Sequence, residues 1–108
     1  MVSVHIRYIL LSLQIYQEAR RFGKVYDIQV VCCYGGGSKY EQSKALEAGA
    51  EIVVATPGRM IDMVKMKATN LERVTYLVLD EADRMFDMGF GLSLLCLPAH
   101  HSLTCAYI

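Results

Sequence analysis

Tyr76-Leu77-Val78-Leu79-Asp80-Glu81-Ala82-Asp83-Arg84 is the stretch from which the rest of the chain is read. Its first four residues are apolar and β-prone, as in a buried strand. Three carboxylates follow within four residues: Asp80, Glu81 and Asp83. A buried strand running straight into clustered acids puts carboxylates at the carboxyl end of a sheet. That edge is where open α/β sheets bind their ligands. Asp80 suits a hard cation such as Mg²⁺, which prefers carboxylate and water oxygens. Glu81 suits the orientation or deprotonation of an attacking water. A solvated helix start explains the same residues, because acids favour the first turn of a helix.

Two more strands lie upstream. Ile28 to Tyr34 is rich in β-branched and aromatic residues, and Glu51 to Ala55 is a second apolar run. Between and around them, three segments read as helices. Gln14 to Phe22 has Ile15, Ala19 and Phe22 at helical spacing, with Gly23 as a stop. Tyr40 to Ala48 turns Ala45 and Leu46 inward and stops at Gly49. Arg59 to Lys67 places Met60, Met63 and Val64 on one face, as core filler. The βαβαβ order predicts an α/β fold with a parallel sheet and right-handed crossovers.

Two loops at strand ends suit phosphate. Gly35-Gly36-Gly37-Ser38-Lys39 follows the first of the two upstream strands. It is not a P-loop of the form G-x-x-x-x-G-K-[ST]. Tyr40 follows Lys39, and the first glycine is missing. A plain strand-to-helix turn also fits these glycines. Thr56-Pro57-Gly58-Arg59 follows the second upstream strand. Thr56 is a good N-cap and Pro57 a good first helical residue. Gly58 and Arg59 then stand at a helix N-terminus, where N–H groups and the dipole attract phosphate. Arg59 adds a charge-assisted donor. On local chemistry alone, helix cap and phosphate site are balanced readings.

The composition sets bounds. The 108 residues suffice for one small domain, and 54% hydrophobic residues can fill a core. Eleven basic and eleven acidic residues cancel, so bulk charge does not advertise nucleic-acid binding. The four cysteines, Cys32, Cys33, Cys96 and Cys105, show no disulfide framework, which suits a reducing nuclear or cytoplasmic setting. Cys96, His100, His101 and Cys105 are too loosely spaced for a usual zinc site, and Pro98 interrupts them. No apolar run reaches the ~20 residues of a membrane span. Met1 to Leu13 lacks the cleavage site of a signal peptide.

Asp80-Glu81-Ala82-Asp83, with Thr56-Pro57-Gly58-Arg59 before it and Asp87-Met88-Gly89-Phe90 after it, resembles the DEAD-box family of ATP-dependent RNA helicases. The resemblance runs roughly from Leu13 to Phe90 and is to the first of the family's two RecA-like domains. It implies a partial RecA-like sheet with flanking helices, a three-layer αβα arrangement that is incomplete here. It implies Asp80 on Mg²⁺, Glu81 on the attacking water and Asp83 tying this strand end to the ATPase site, with ATP as cofactor. Gly35, Gly36 and the downstream Gln42 resemble the family's glycine-doublet element. With Thr56, Gly58 and Arg59 they are expected to contact RNA backbone.

The chain also departs from the family. The family's P-T-R-E-L-A element is replaced by Arg7-Tyr8-Ile9-Leu10-Leu11-Ser12-Leu13. No S-A-T motif and no Walker A pattern occur, and the family's second RecA-like domain has no counterpart in these 108 residues. The expected division is a divergent segment 1–12, a partial RecA-like domain 13–90 and a divergent tail 91–108. That tail reads as an unrelated end joined to a helicase fragment, and is expected to be the least ordered part. The expected function is that of a fragment of an ATP-dependent RNA helicase, inactive alone. The alternative is a non-catalytic fragment that binds RNA or a protein.

Overall fold

In a computed structural model, the described residues are 2–5, 9–80 and 104–107, with side chains described from Ser12 to Asp80. Five strands form one sheet: β1 (Val2–His5), β2 (Val30–Cys33), β3 (Ile52–Ala55), β4 (Tyr76–Leu79) and β5 (Thr104–Tyr107). Their order is β2-β3-β1-β4-β5, and all four neighbouring pairs are parallel. Three helices accompany them: α1 (Ile9–Gly23), α2 (Lys39–Glu47) and α3 (Pro57–Lys65). A 3₁₀ turn, Lys24–Tyr26, links α1 towards β2.

The pleat of the sheet sorts the core into two layers. Val31, Cys33, Val53 and Ala55 are buried with Leu46 of α2 and with Met60 and Met63 of α3. Alternation sends Cys32 to the opposite face. There its thiol donates to the Ser12 carbonyl of α1 at 3.9 Å. So α1 covers one face and α2 and α3 the other, as right-handed crossovers running in opposite directions require. The methionine pair carries much of this core, with Met60 1% and Met63 0% exposed.

The parallel α/β architecture matches the sequence reading, with β2, β3 and β4 inside the expected spans. The strand count needs correction. The sheet has five strands, not three, and β3 and β4 are not neighbours because β1 lies between them. Val2–His5, within the expected divergent segment 1–12 and not read as a strand, pairs with both β3 and β4. Thr104–Tyr107, within the expected divergent tail 91–108, pairs with β4; residues 91–103 and 108 lie outside the described residues. On α1, Phe22 is 70% exposed. The neighbouring Gly23 is buried, and an added Cβ there would come 3.2 Å from Ile28 Cβ.

Candidate nucleic-acid interface

Parallel register brings the carboxyl ends of the strands to one edge. Cys33 pairs with Ala55, Ala55 with His5, and His5 with Leu79. The residues just beyond, Tyr34, Thr56 and Asp80, therefore line up along that edge. One strand intervenes between β3 and β4, which separates the ends at Thr56 and Asp80 by about 10 Å. The glycine loop and the α3 N-terminus are nearer, because β2 and β3 are direct neighbours.

The three glycines of the loop differ. A Cβ on Gly35 or Gly36 would meet nothing within 4 Å, so open space lies beside the main chain there. Gly36 has φ +90, a conformation that glycine adopts at little cost. Gly37 is packed: a Cβ there would approach Gln42 Nε2 and the Tyr34 ring. The loop ends in a genuine helix cap, with Ser38 Oγ accepting from the Glu41 N–H at 3.3 Å. Lys39 forms an ion pair with Asp62 of α3 at 3.2 Å.

At the start of α3, Thr56 occupies the N-cap position and Pro57 the first turn, as the sequence suggests. The Thr56 side chain nevertheless makes no cap hydrogen bond. Thr56 is buried, while Gly58 is exposed with nothing within 4 Å of an added Cβ. The first-turn N–H groups thus lack a side-chain cap, and main chain at Gly58 can be approached closely.

Arg59 turns away from the open surface. It is 9% exposed, and its Nη1 donates to the Gly37 carbonyl at 3.0 Å and to Gln42 Oε1 at 2.9 Å. Gln42, 8% exposed, donates from Nε2 to the Tyr34 carbonyl at 3.2 Å. Burial pushes the Cys33 thiol up to about 12, the adjacent Cys32 adds to the rise, and Arg59 opposes it. Burial raises the Cys32 thiol as well, partly opposed by the Ser12 side chain. Sequence reading singled out Arg59 and Gln42 but not their bond or the role of Gly37.

Asp80 stands half-buried in the turn just after β4. Mg²⁺ is commonly bound through one or two carboxylates together with waters and phosphate oxygens, so Asp80 fits as one such ligand. Glu81 and Asp83 lie outside the described residues, as do Cys96, His100 and His101. Among the described residues, no group of three or more His, Cys, Asp or Glu could hold a metal ion. No helix among them is long and apolar enough to cross a membrane.

The comparisons agree with this geometry. The profile of a family described as DEAD/DEAH box helicase matches residues 6–98. The chain is 63% identical over 90 residues to the ATP-dependent RNA helicase DDX42 of Gallus gallus, covering 83% of this chain and 10% of that protein. It thus spans about a tenth of the length of such relatives. A hypothetical ATP-dependent RNA helicase from Sulfolobus tokodaii superposes with a TM-score of 0.86 at 30% identity. That match covers 98% of this chain and 33% of the other. The yeast DEAD-box splicing factor Prp28 superposes with a TM-score of 0.84 at 31% identity, over 98% of this chain and 27% of that one.

Proposed function

This chain belongs to the DEAD/DEAH box helicase family, and we propose that it is the RNA-gripping part of an ATP-dependent RNA helicase's RecA-like domain. The observation that carries the reading is the pair of approachable main-chain segments at neighbouring strand ends. Gly35 and Gly36 have open space beside them, and Gly58 stands exposed on an uncapped helix N-terminus. Backbone N–H groups and a helix dipole bind phosphate without reading bases. The ligand is therefore RNA backbone, bound without sequence preference. Thr56 and Arg59 complete the surface from below, since both are buried.

The acidic end of β4 serves the other substrate. Asp80 is the residue for Mg²⁺, with Glu81 for the attacking water and Asp83 for linking this strand end to the ATPase site. Bound ATP and Mg²⁺ would supply the phosphoryl group and neutralise its charge. The 108-residue sequence contains no G-x-x-x-x-G-K-[ST] pattern to cradle a triphosphate. By itself the chain grips RNA and does not hydrolyse ATP. Its setting is the nucleus or cytoplasm.

The test is filter binding of single-stranded RNA to the 108-residue chain across a salt series. Binding should weaken with salt, and Arg59→Glu should abolish it, because a carboxylate there faces the Gly37 carbonyl and Gln42 Oε1. Unchanged affinity in Arg59→Glu, or affinity independent of salt, would overturn the reading.

A further inference from the structure

We infer that Arg59 and Gln42 are positioning residues that clamp the glycine loop to the start of α3, so that both phosphate-binding segments present their N–H groups to one RNA strand. This rests on the RNA reading above and assigns Arg59 an indirect part in it. Three observations support it. The guanidinium uses one nitrogen, Nη1, for two acceptors: the Gly37 carbonyl in the loop and Gln42 Oε1 on α2. Gln42 spends both ends of its amide, accepting from Arg59 and donating to the Tyr34 carbonyl at the end of β2. Gly37 leaves no room beside this amide, since a Cβ there would clash with Gln42 Nε2.

The chain of contacts runs Tyr34–Gln42–Arg59–Gly37 and so brackets Gly35 and Gly36 on both sides. No atom lies within 4 Å of a Cβ added to either glycine, so nothing packs on that side of them. Gly36 sits at φ +90, where the unbraced loop would sample other conformations. Arg59 belongs to the first turn of α3, so the same guanidinium fixes the loop relative to Gly58. A planar group with several donors suits such bridging better than a flexible ammonium. Gln42 is 8% exposed and both ends of its amide are already bonded, so it is not itself a phosphate ligand.

The experiment compares Gln42→Ala, Arg59→Ala and the double variant, with circular dichroism to check folding. Gln42→Asn is added because it keeps a buried amide but shortens its reach. Affinity for single-stranded RNA is measured over a salt series, and amide exchange at Gly35–Gly37 is followed without RNA. A charged hydrogen bond is lost in each single variant, so each should bind about tenfold more weakly. The double variant should be little worse, because the two act as one unit. The slope of log K against log salt should stay unchanged, and loop exchange should quicken in every variant. If Arg59 were a direct phosphate ligand, Arg59→Ala would lower that slope by about 0.7 and Gln42→Ala would bind normally. That result overturns the proposal. Failure of every chain, parent included, to bind RNA would sink the RNA reading instead. The clamp would then stand or fall on the exchange rates, and unchanged exchange in Gln42→Asn would refute it.

Discussion

Arg59 Nη1 reaches Gln42 Oε1 at 2.9 Å in a buried contact that joins α3 to α2 across 17 residues of sequence. Both residues are less than a tenth exposed. A buried guanidinium must have its donors satisfied, and removing either partner strands a charge or an amide. The contact is therefore a structural commitment at the edge where the candidate RNA surface lies. With the bond to the Gly37 carbonyl, it ties the glycine loop to the start of α3.

Gly37→Ala and Gly35→Ala should behave oppositely. A Cβ on Gly37 would clash with Gln42 Nε2 and come 3.2 Å from the Tyr34 ring. Gln42 cannot withdraw without releasing both Tyr34 and Arg59. The loss should be about 1–3 kcal/mol, as for overpacking elsewhere. Gly35 has open space for a Cβ and should leave stability within about 0.5 kcal/mol. Urea denaturation of the two variants measures both values. Equal destabilisation would mean that the packing at Gly37 is misread.

How much of this was legible in the sequence differs by element. The strands β2, β3 and β4 were, because apolar, β-prone runs end at Gly35, Thr56 and Asp80. Met60 and Met63 read as core, and they are core. Val2–His5 and Thr104–Tyr107 were not legible. Each is a four-residue strand defined by its neighbours in the sheet, and pairing across a sheet leaves little trace in so short a run. The two loops at the candidate site stood out through glycine and the Thr56-Pro57 start. The inward turn of Arg59 did not. An arginine at a helix start ordinarily reads as exposed, and its burial depends on acceptors contributed by α2 and the loop.

Cys33 should resist alkylation in the folded chain. It is fully buried, and its thiol is held up to about 12, so almost no thiolate exists at pH 8. Iodoacetamide followed by peptide mapping should show Cys33 unmodified in buffer and modified in urea. The same shift sets a pH dependence. The folded value lies above the ordinary 9.0, so the folded chain holds the proton more tightly than the unfolded one. The stabilising effect is complete below pH 9 and is lost as pH rises from 9 towards 12. Cys33→Ala should therefore lose stability less steeply across that window. Identical slopes for both chains would refute the assignment.

The 108-residue chain should not turn over ATP, although it carries the acids associated with that reaction. Asp80 ends β4 at the ligand-binding edge of the sheet, and Glu81 and Asp83 follow it in sequence. Phosphoryl transfer depends almost wholly on holding the phosphates in line and neutralising their charge. Within this sequence nothing matches the loop that does so. The glycine loop is no substitute. Its Lys39 is engaged with Asp62, and Ser38 is engaged in capping α2. A carboxylate with no phosphate fixed beside it can bind a hydrated cation but cannot direct a water at a γ-phosphate. The measurement is phosphate release by the purified chain, with and without RNA, beside Glu81→Gln. Release should remain at the level without protein in both. Turnover that vanishes in Glu81→Gln would overturn the prediction and reveal a nucleotide cradle built from other residues. Turnover equal in the two chains would come from a contaminating ATPase and would leave the acids of this chain without a part in it.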